Sequence, residues 1–136
     1  MSVTDNKINQ NAKVALECIR LALGTTATGQ TGKQTDGVIP GYDFQVVKVE
    51  VNALTVTATI SVDCLIGSTS VLSSAITPVA ATPTAGTLST TLANVRGSST
   101  EAINLQYTSN GTGAATNGFV SVWIRPQPLN GEVRST

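Results

Sequence analysis

Two carboxylates, Glu50 and Asp63, come nearest in this sequence to an acid–base pair. They lie near the ends of two stretches that have the pattern of neighbouring strands, so a hairpin would bring them close together. Paired carboxylates of this kind serve glycoside hydrolases as acid and nucleophile or base. The chain has no histidine, which excludes the usual Ser-His-Asp and Cys-His pairings within one chain. A solvated strand face explains the two acids better, and no catalytic residue is predicted.

The two cysteines, Cys18 and Cys64, lack the short spacing of metal ligands. Without such spacing and without histidine, no metal site is predicted. Two buried free thiols are the favoured interpretation, and a Cys18–Cys64 disulfide is the alternative. The sequence also lacks a phosphate-binding glycine motif and a calcium loop, so no cofactor and no small-molecule substrate are expected.

Composition narrows the class of partner. The formal net charge is zero, only 12% of the residues are charged and only 4% are aromatic. Proteins that bind nucleic acids or membranes electrostatically usually carry an excess of Lys and Arg over Asp and Glu, so neither kind of partner is expected. The N-terminus lacks the apolar segment of a secretory signal, and no apolar run approaches the roughly 18 residues of a membrane helix.

The strongest structural pattern is the alternation over residues 54–64. Even positions are apolar, from Leu54 to Cys64, and odd positions are Thr, Ser or Asp. This pattern predicts a long strand with one dry face and one wet face. Asn52 suits a turn, so residues 43–51 and 54–65 are predicted to form an antiparallel hairpin. A change of parity at Val46–Val47 indicates a bulge or a strand buried on both faces.

Residues 11–23 are predicted to form a short helix, because their apolar side chains fall on one stripe at helical spacing. This helix either closes one end of a β-core or packs against a neighbouring subunit. In the second case Leu16, Ile19 and Leu23 are candidate interaction residues. Trp123, in the last predicted strand, is a further candidate, either as an interface anchor or as core of a second face.

About six strands follow, which favours a mainly β fold: an antiparallel β-sandwich or jelly-roll-like barrel with one short N-terminal helix and an N-terminal arm. Further strands are predicted at 70–76, 87–93, 102–108 and 119–125, with a hairpin loop over 109–118. The predicted organisation has three parts: an arm, the helix and a flexible loop over 1–41, the β-sandwich core over 42–128, and a polar tail over 129–136.

Three segments resemble small virion structural proteins of tailed bacteriophages. They are the run Gly41-Tyr42-Asp43-Phe44-Gln45-Val46-Val47, the stretch from Asp63 to Leu72, and the ending from Asn110 through Trp123 to Pro126. The likeness extends over residues 12–128. Capsid decoration (cement) proteins are the most similar group in size and β-content. This resemblance implies a compact β-core with an arm, often assembled as a trimer, and it carries over no catalytic residue.

The function expected from the resemblance is therefore non-enzymatic. The chain would be a head decoration protein that binds the outer capsid and stabilises contacts between capsomers. The expected partner is the major capsid protein or another virion protein, the expected assembly is a homotrimer, and the expected location is the virion, after synthesis in the host cytoplasm. The alternative is a tail, fibre or baseplate component, which could bind host carbohydrate.

Overall fold

The computed structural model describes residues 16–24, 31–34, 37–57, 60–109 and 114–127. The strands are β1 (Glu17–Gly24), β2 (Thr31–Gln34), β3 (Phe44–Asn52), β4 (Thr55–Thr57), β5 (Ile60–Ile66), β6 (Thr69–Ser70), β7 (Thr84–Ala85), β8 (Arg96–Gly97), β9 (Ile103–Ser109), β10 (Ala114–Thr116) and β11 (Gly118–Pro126). One short 3₁₀ helix, Leu92–Val95, precedes β8. The described part of the chain is therefore mainly β, as the sequence predicts.

These strands form three antiparallel sheets. The larger sheet has the order β1-β11-β3-β7, with β8 also paired to β3. The smaller sheet has the order β2-β9-β5-β6, and a two-stranded ribbon joins β4 to β10. β1 and β2 precede residue 42, where the sequence pattern places the start of the core, and each is the end strand of its sheet in the described residues. The arrangement is consistent with a β-sandwich.

A single apolar core lies between the two principal sheets. Val120, Val122 and Ile124 of β11 point into it from the larger sheet, and all three are fully buried. Ile103 and Leu105 of β9 meet them from the smaller sheet and are also fully buried. Because inward residues mostly alternate with more exposed ones along β9 and β11, each of the two sheets has a distinct outer face.

The predicted N-terminal helix is wrong. Residues 17–24 form strand β1, which pairs antiparallel with β11, and residues 11–15 lie outside the described part of the chain. Ile19, Leu21 and Leu23 alternate with Cys18, Arg20 and Ala22, so the segment satisfies strand spacing as well as helical spacing. Pairing with the apolar β11 decides between the two, since it buries Leu21 and Leu23 against the core. The predicted arm over 1–10 and the tail over 129–136 also lie outside the described residues.

The parity change in β3 is a bulge, the first of the two predicted alternatives. Trp123 of β11 pairs with Lys48, and the next residue, Ile124, pairs with Val46, so Val47 is the extra residue. The bulge returns the apolar side chains of β3 to the core on both sides of it. Phe44 and Val46 before the bulge and Val49 after it are all buried.

The predicted hairpin between residues 43–51 and 54–65 is wrong. β3 pairs with β11, β7 and β8, whereas the alternating stretch is divided between β4 of the ribbon and β5 of the smaller sheet. The predicted inward face is confirmed for Ile60, Val62 and Cys64, but Leu54 is 58% exposed. The chain crosses from one sheet to the other near Leu54, because two strands alone could not bury their apolar faces.

Of the remaining strand predictions, two are confirmed and the others are wrong. β9 and β11 confirm the strands predicted over 102–108 and 119–125. Residues 109–118 do not connect a hairpin, since β9 and β11 belong to different sheets and β10 pairs with β4. Residues 70–76 and 87–93 are mostly irregular and contribute isolated bridges, such as Leu72 to Leu88, instead of the predicted strands.

Candidate functional site

The outer face of the larger sheet carries a group of interacting side chains from three neighbouring strands. We call the central residues of this face the aromatic patch: Arg20, Lys48, Phe119, Ser121 and Trp123. Strand register brings them together, since Cys18 and Lys48 lie on either side of Trp123, and Arg20 and Glu50 lie on either side of Ser121. Phe119 and Trp123 are two of only five aromatic residues in the chain (one Trp, two Tyr and two Phe).

Each aromatic ring of the patch is covered by a cation. The guanidinium carbon of Arg20 lies 4.8 Å from the centre of the Phe119 ring, and Lys48 Nζ lies 4.9 Å from the centre of the Trp123 ring. Such contacts are worth about 0.5–1 kcal/mol at exposed sites. Lys48 Nζ also lies 3.7 Å from a carboxylate oxygen of Glu50, so Trp123, Lys48 and Glu50 form one connected group beside the Arg20–Phe119 pair.

Ser121 forms the floor of the patch. Ser121 is only 3% exposed although it lies on the outer face, because larger side chains from its own and the adjacent strands surround it. Its hydroxyl makes no hydrogen bond to another side chain among the described residues. The side chains around Ser121, namely Arg20, Glu50, Phe119 and Trp123, therefore pack closely over this small residue.

A shallow groove adjoins the patch beyond Phe119. Its volume is about 360 Å³, and its lining residues are Asn52, Ala53, Leu54, Ala81, Thr82, Asn117 and Phe119. Ala81 and Asn117 both have left-handed backbone conformations, with φ of 53° and 50°. The amide of Ala81 donates a hydrogen bond of 2.8 Å to the carbonyl of Ala53, which fixes one wall of the groove against the other.

Glu50 and Asp63, the two carboxylates considered as an acid–base pair, lie on different sheets. Glu50 is on the outer face of the larger sheet, and Asp63 is on β5 of the smaller sheet. Asp63 accepts a 2.6 Å hydrogen bond from the Ser70 hydroxyl and a 2.8 Å bond from the backbone amide of Cys64. Asp63 thus closes a local turn between β5 and β6, and the two acids do not share a site.

Both cysteines are free. Cys64 is buried, as predicted. Cys18 is exposed on the outer face of β1, so the prediction that it is buried is wrong. Burial, with a smaller contribution from the nearby Asp63 carboxylate, raises the pKa of Cys64 to about 12. Within the described residues, no group of three or more His, Cys, Asp or Glu side chains is placed to hold a metal ion.

A titratable contact closes one end of the larger sheet. The hydroxyl of Tyr42 donates a hydrogen bond to the Glu17 carboxylate, which joins the segment before β3 to the first residue of β1. Burial, together with the hydrogen bond and the negative charge of Glu17, raises the pKa of Tyr42 to about 12.

The four candidate interaction residues occupy different environments. Leu16 is 56% exposed and lies directly before β1. Ile19 packs against the core and Leu23 is buried in it, so both face inward. Trp123 belongs to the aromatic patch. Arg20, Lys48 and Phe119 were not among the predicted interaction residues, although the alternation of Phe119, Ser121 and Trp123 along β11 indicates such a face.

No helix in the described part of the chain is long and apolar enough to cross a membrane. Comparison with protein-family models gives no match, and comparison with curated proteins gives none either.

Proposed function

We propose that this chain is a non-enzymatic virion structural protein, a head decoration protein that binds the outer capsid and stabilises contacts between capsomers. Its sandwich would be of the jelly-roll type and would assemble as a homotrimer. The observation that supports this function best is the aromatic patch, where Trp123 and Phe119 lie half-buried on the outside of a continuous sheet. The resemblance of the sequence to phage virion proteins is the reason for proposing the virion as its location.

The physical basis of the proposal is the suitability of a sheet face for docking. Strands β1, β11 and β3 are paired along most of their length, so they hold the side chains of their outer face at fixed spacings. Aromatic residues and arginine are enriched at protein interfaces, where they contribute much of the binding free energy. Leu16, beside the start of β1, adds exposed apolar area near the same sheet.

The deciding experiment measures how the protein occurs on purified phage particles. Densitometry of the particle proteins should give a copy number comparable to that of the capsid subunits. Addition of the purified protein to particles that lack it should restore the same occupancy and raise the temperature at which the capsid opens. A copy number similar to that of tail proteins, with no effect on capsid opening, would contradict the decoration function.

A second candidate function follows from the groove. A tail, fibre or baseplate component that binds host carbohydrate would need an open site that combines an aromatic ring with amides and hydroxyls. The groove provides the Phe119 ring together with Asn52, Thr82 and Asn117. Calorimetric titration with oligosaccharides of the host surface would test this function. Binding that is lost in Asn117→Ala would favour it over decoration.

A further inference from the structure

Four of the five described Lys and Arg residues lie on the larger sheet. These four are Arg20, Lys48, Arg96 and Arg125, and the fifth, Lys33, belongs to β2 of the smaller sheet. Arg20 and Lys48 are part of the aromatic patch. Gln45 of β3 lies opposite Arg125 on one side and Arg96 on the other, and it accepts a 3.2 Å hydrogen bond from Arg96 Nε. All four cations therefore share the outer face.

The described carboxylates are divided between this sheet and the rest of the molecule, and only two of the five lie on or at the end of the outer face. Glu50 is on the outer face beside Lys48, and Asp43, at the end of that face, accepts a hydrogen bond from the backbone amide of Ser99. Glu17 is bonded to Tyr42, Asp63 is on the smaller sheet, and Glu101 is bonded to the backbone of Ser98 in the loop before β9. A chain whose formal net charge is zero thus presents a positive outer face.

Several side chains of this face contact one another before any partner binds. Arg20 and Lys48 are stacked on rings, and Lys48 is also held by Glu50. The closely covered Ser121 shows that the surrounding side chains leave little free space over the floor of the patch. Side chains already held in one arrangement lose less conformational entropy on binding, so their contacts contribute more of their energy to affinity.

We propose that the outer face of the larger sheet docks on an acidic surface of a protein partner. This inference rests on the proposed function, in which that partner is a capsid protein, and it adds the docking face and the chemistry of the opposite surface. Carboxylates of the partner would meet Arg20, Lys48 and Arg125 around the two aromatic rings. Complementary charge of this kind speeds association and selects orientation.

A protein surface fits this face better than a nucleic acid does. Bases stack on open aromatic faces, and the two rings here each have a cation over one face. Glu50 among the cations would also repel a phosphate backbone, whereas protein interfaces tolerate mixed charge around aromatic residues.

The test measures attachment of the purified protein to decoration-free particles by co-sedimentation, at low and high salt. Arg20→Glu combined with Arg125→Glu should weaken attachment about tenfold or more, and high salt should weaken the wild type in the same direction. Trp123→Ala should weaken attachment at both salt concentrations, because its contribution is not electrostatic. Thermal unfolding shows whether each variant is folded. If the variant with both Arg20→Glu and Arg125→Glu does not fold, Arg20→Gln is used in its place.

Glu50→Gln and Glu101→Gln provide a matched pair, since each removes one negative charge. Only Glu50→Gln makes the outer face more positive, so it should strengthen attachment while Glu101→Gln leaves it unchanged. Equal attachment of the wild type and the Arg20/Arg125 variant would overturn the docking face and leave the decoration function intact.

A second arm is independent of the proposed function. If the wild type does not attach to particles, the decoration function fails, and retention on immobilised polyglutamate and on immobilised duplex DNA then decides the inference. Retention on polyglutamate that is lost in Arg20→Glu with Arg125→Glu supports an acidic protein partner. Absence of that retention, or stronger variant-sensitive retention on DNA, overturns it.

Discussion

Among the described glycines, Gly97 is the one at which an added methyl group would most directly disturb the core. It lies in β8 opposite Phe44, and a Cβ placed on it would lie 2.3 Å from Phe44 Cζ and 2.6 Å from Phe44 Cε1. Carbon atoms normally pack at about 3.5–4.0 Å, so the ring would have to move by more than about 1 Å. Phe44 is fully buried, and close-packed surroundings leave it no free space.

Gly97→Ala is therefore expected to lower the free energy of unfolding by about 1–3 kcal/mol, the usual cost of overpacking. Phe44→Leu removes the ring atoms that cause the clash and should by itself cost about 1–2 kcal/mol in lost apolar burial. The double variant should be close in stability to Phe44→Leu alone. Urea unfolding, with a common m-value, measures all three differences.

Gly67→Ala is the control for this experiment. Gly67 has φ of 63°, and the nearest atom to an added Cβ is 3.9 Å away, so its cost comes from backbone conformation. That cost, about 1–2 kcal/mol, should add to the cost of Phe44→Leu without coupling. If Gly97→Ala also adds to Phe44→Leu within about 0.5 kcal/mol, the clash with the ring is not the cause of its effect and the reasoning is refuted.

Three further predictions concern other described positions. Ala81→Gly should raise the free energy of unfolding in urea by up to about 1 kcal/mol, because glycine adopts the left-handed conformation without the Cβ penalty. Tyr42 has its pKa raised from 10.0 to about 12, so its stabilisation is complete below pH 10 and is lost as the pH rises towards 12. Tyr42→Phe should flatten that loss in thermal melts. A thiol reagent at neutral pH should label the exposed Cys18 in the native protein and Cys64 only after unfolding.

Contrary results would be equally clear. A lower stability of the glycine variant would mean that the conformation of Ala81 is supported by contacts that outweigh its strain. An unchanged alkaline melting curve in Tyr42→Phe would remove the Glu17 contact as the source of the pH dependence. Native labelling of Cys64 at the rate of Cys18 would contradict its burial.

The strand predictions succeeded where the sequence contains one regular signal. Ile103, Leu105 and Tyr107 alternate without interruption, and so do Val120, Val122 and Ile124, so β9 and β11 follow directly from spacing. The change at Val47 likewise has one simple structural cause, the bulge. Alternation reveals which side chains of a strand are inward, because that depends only on local parity.

The partners of each strand could not be predicted in this way. Residues 17–24 fit both a helical stripe and a strand, and only the remote β11 decides between them. Leu54 continues the alternation of β5 yet is exposed, because the chain has already left the core at that point. The cations of the aromatic patch could not be predicted for the same reason, since Arg20 comes to lie over Phe119, and Lys48 over Trp123, only after distant strands pair.

The position of β11 between β1 and β3 has a consequence for synthesis on the ribosome. β1 and β3 emerge long before residues 118–126, so the larger sheet has no central strand while most of the chain is already outside the ribosome. The smaller sheet has its β5–β9 pair available earlier and can form first. Until β11 arrives, the apolar faces of β1 and β3 are exposed to other nascent chains. Late closure of so many distant strand pairs also favours slow folding. A chain that ends before β11 would lack the strand to which both neighbours pair, and we expect it to aggregate instead of forming half a sandwich.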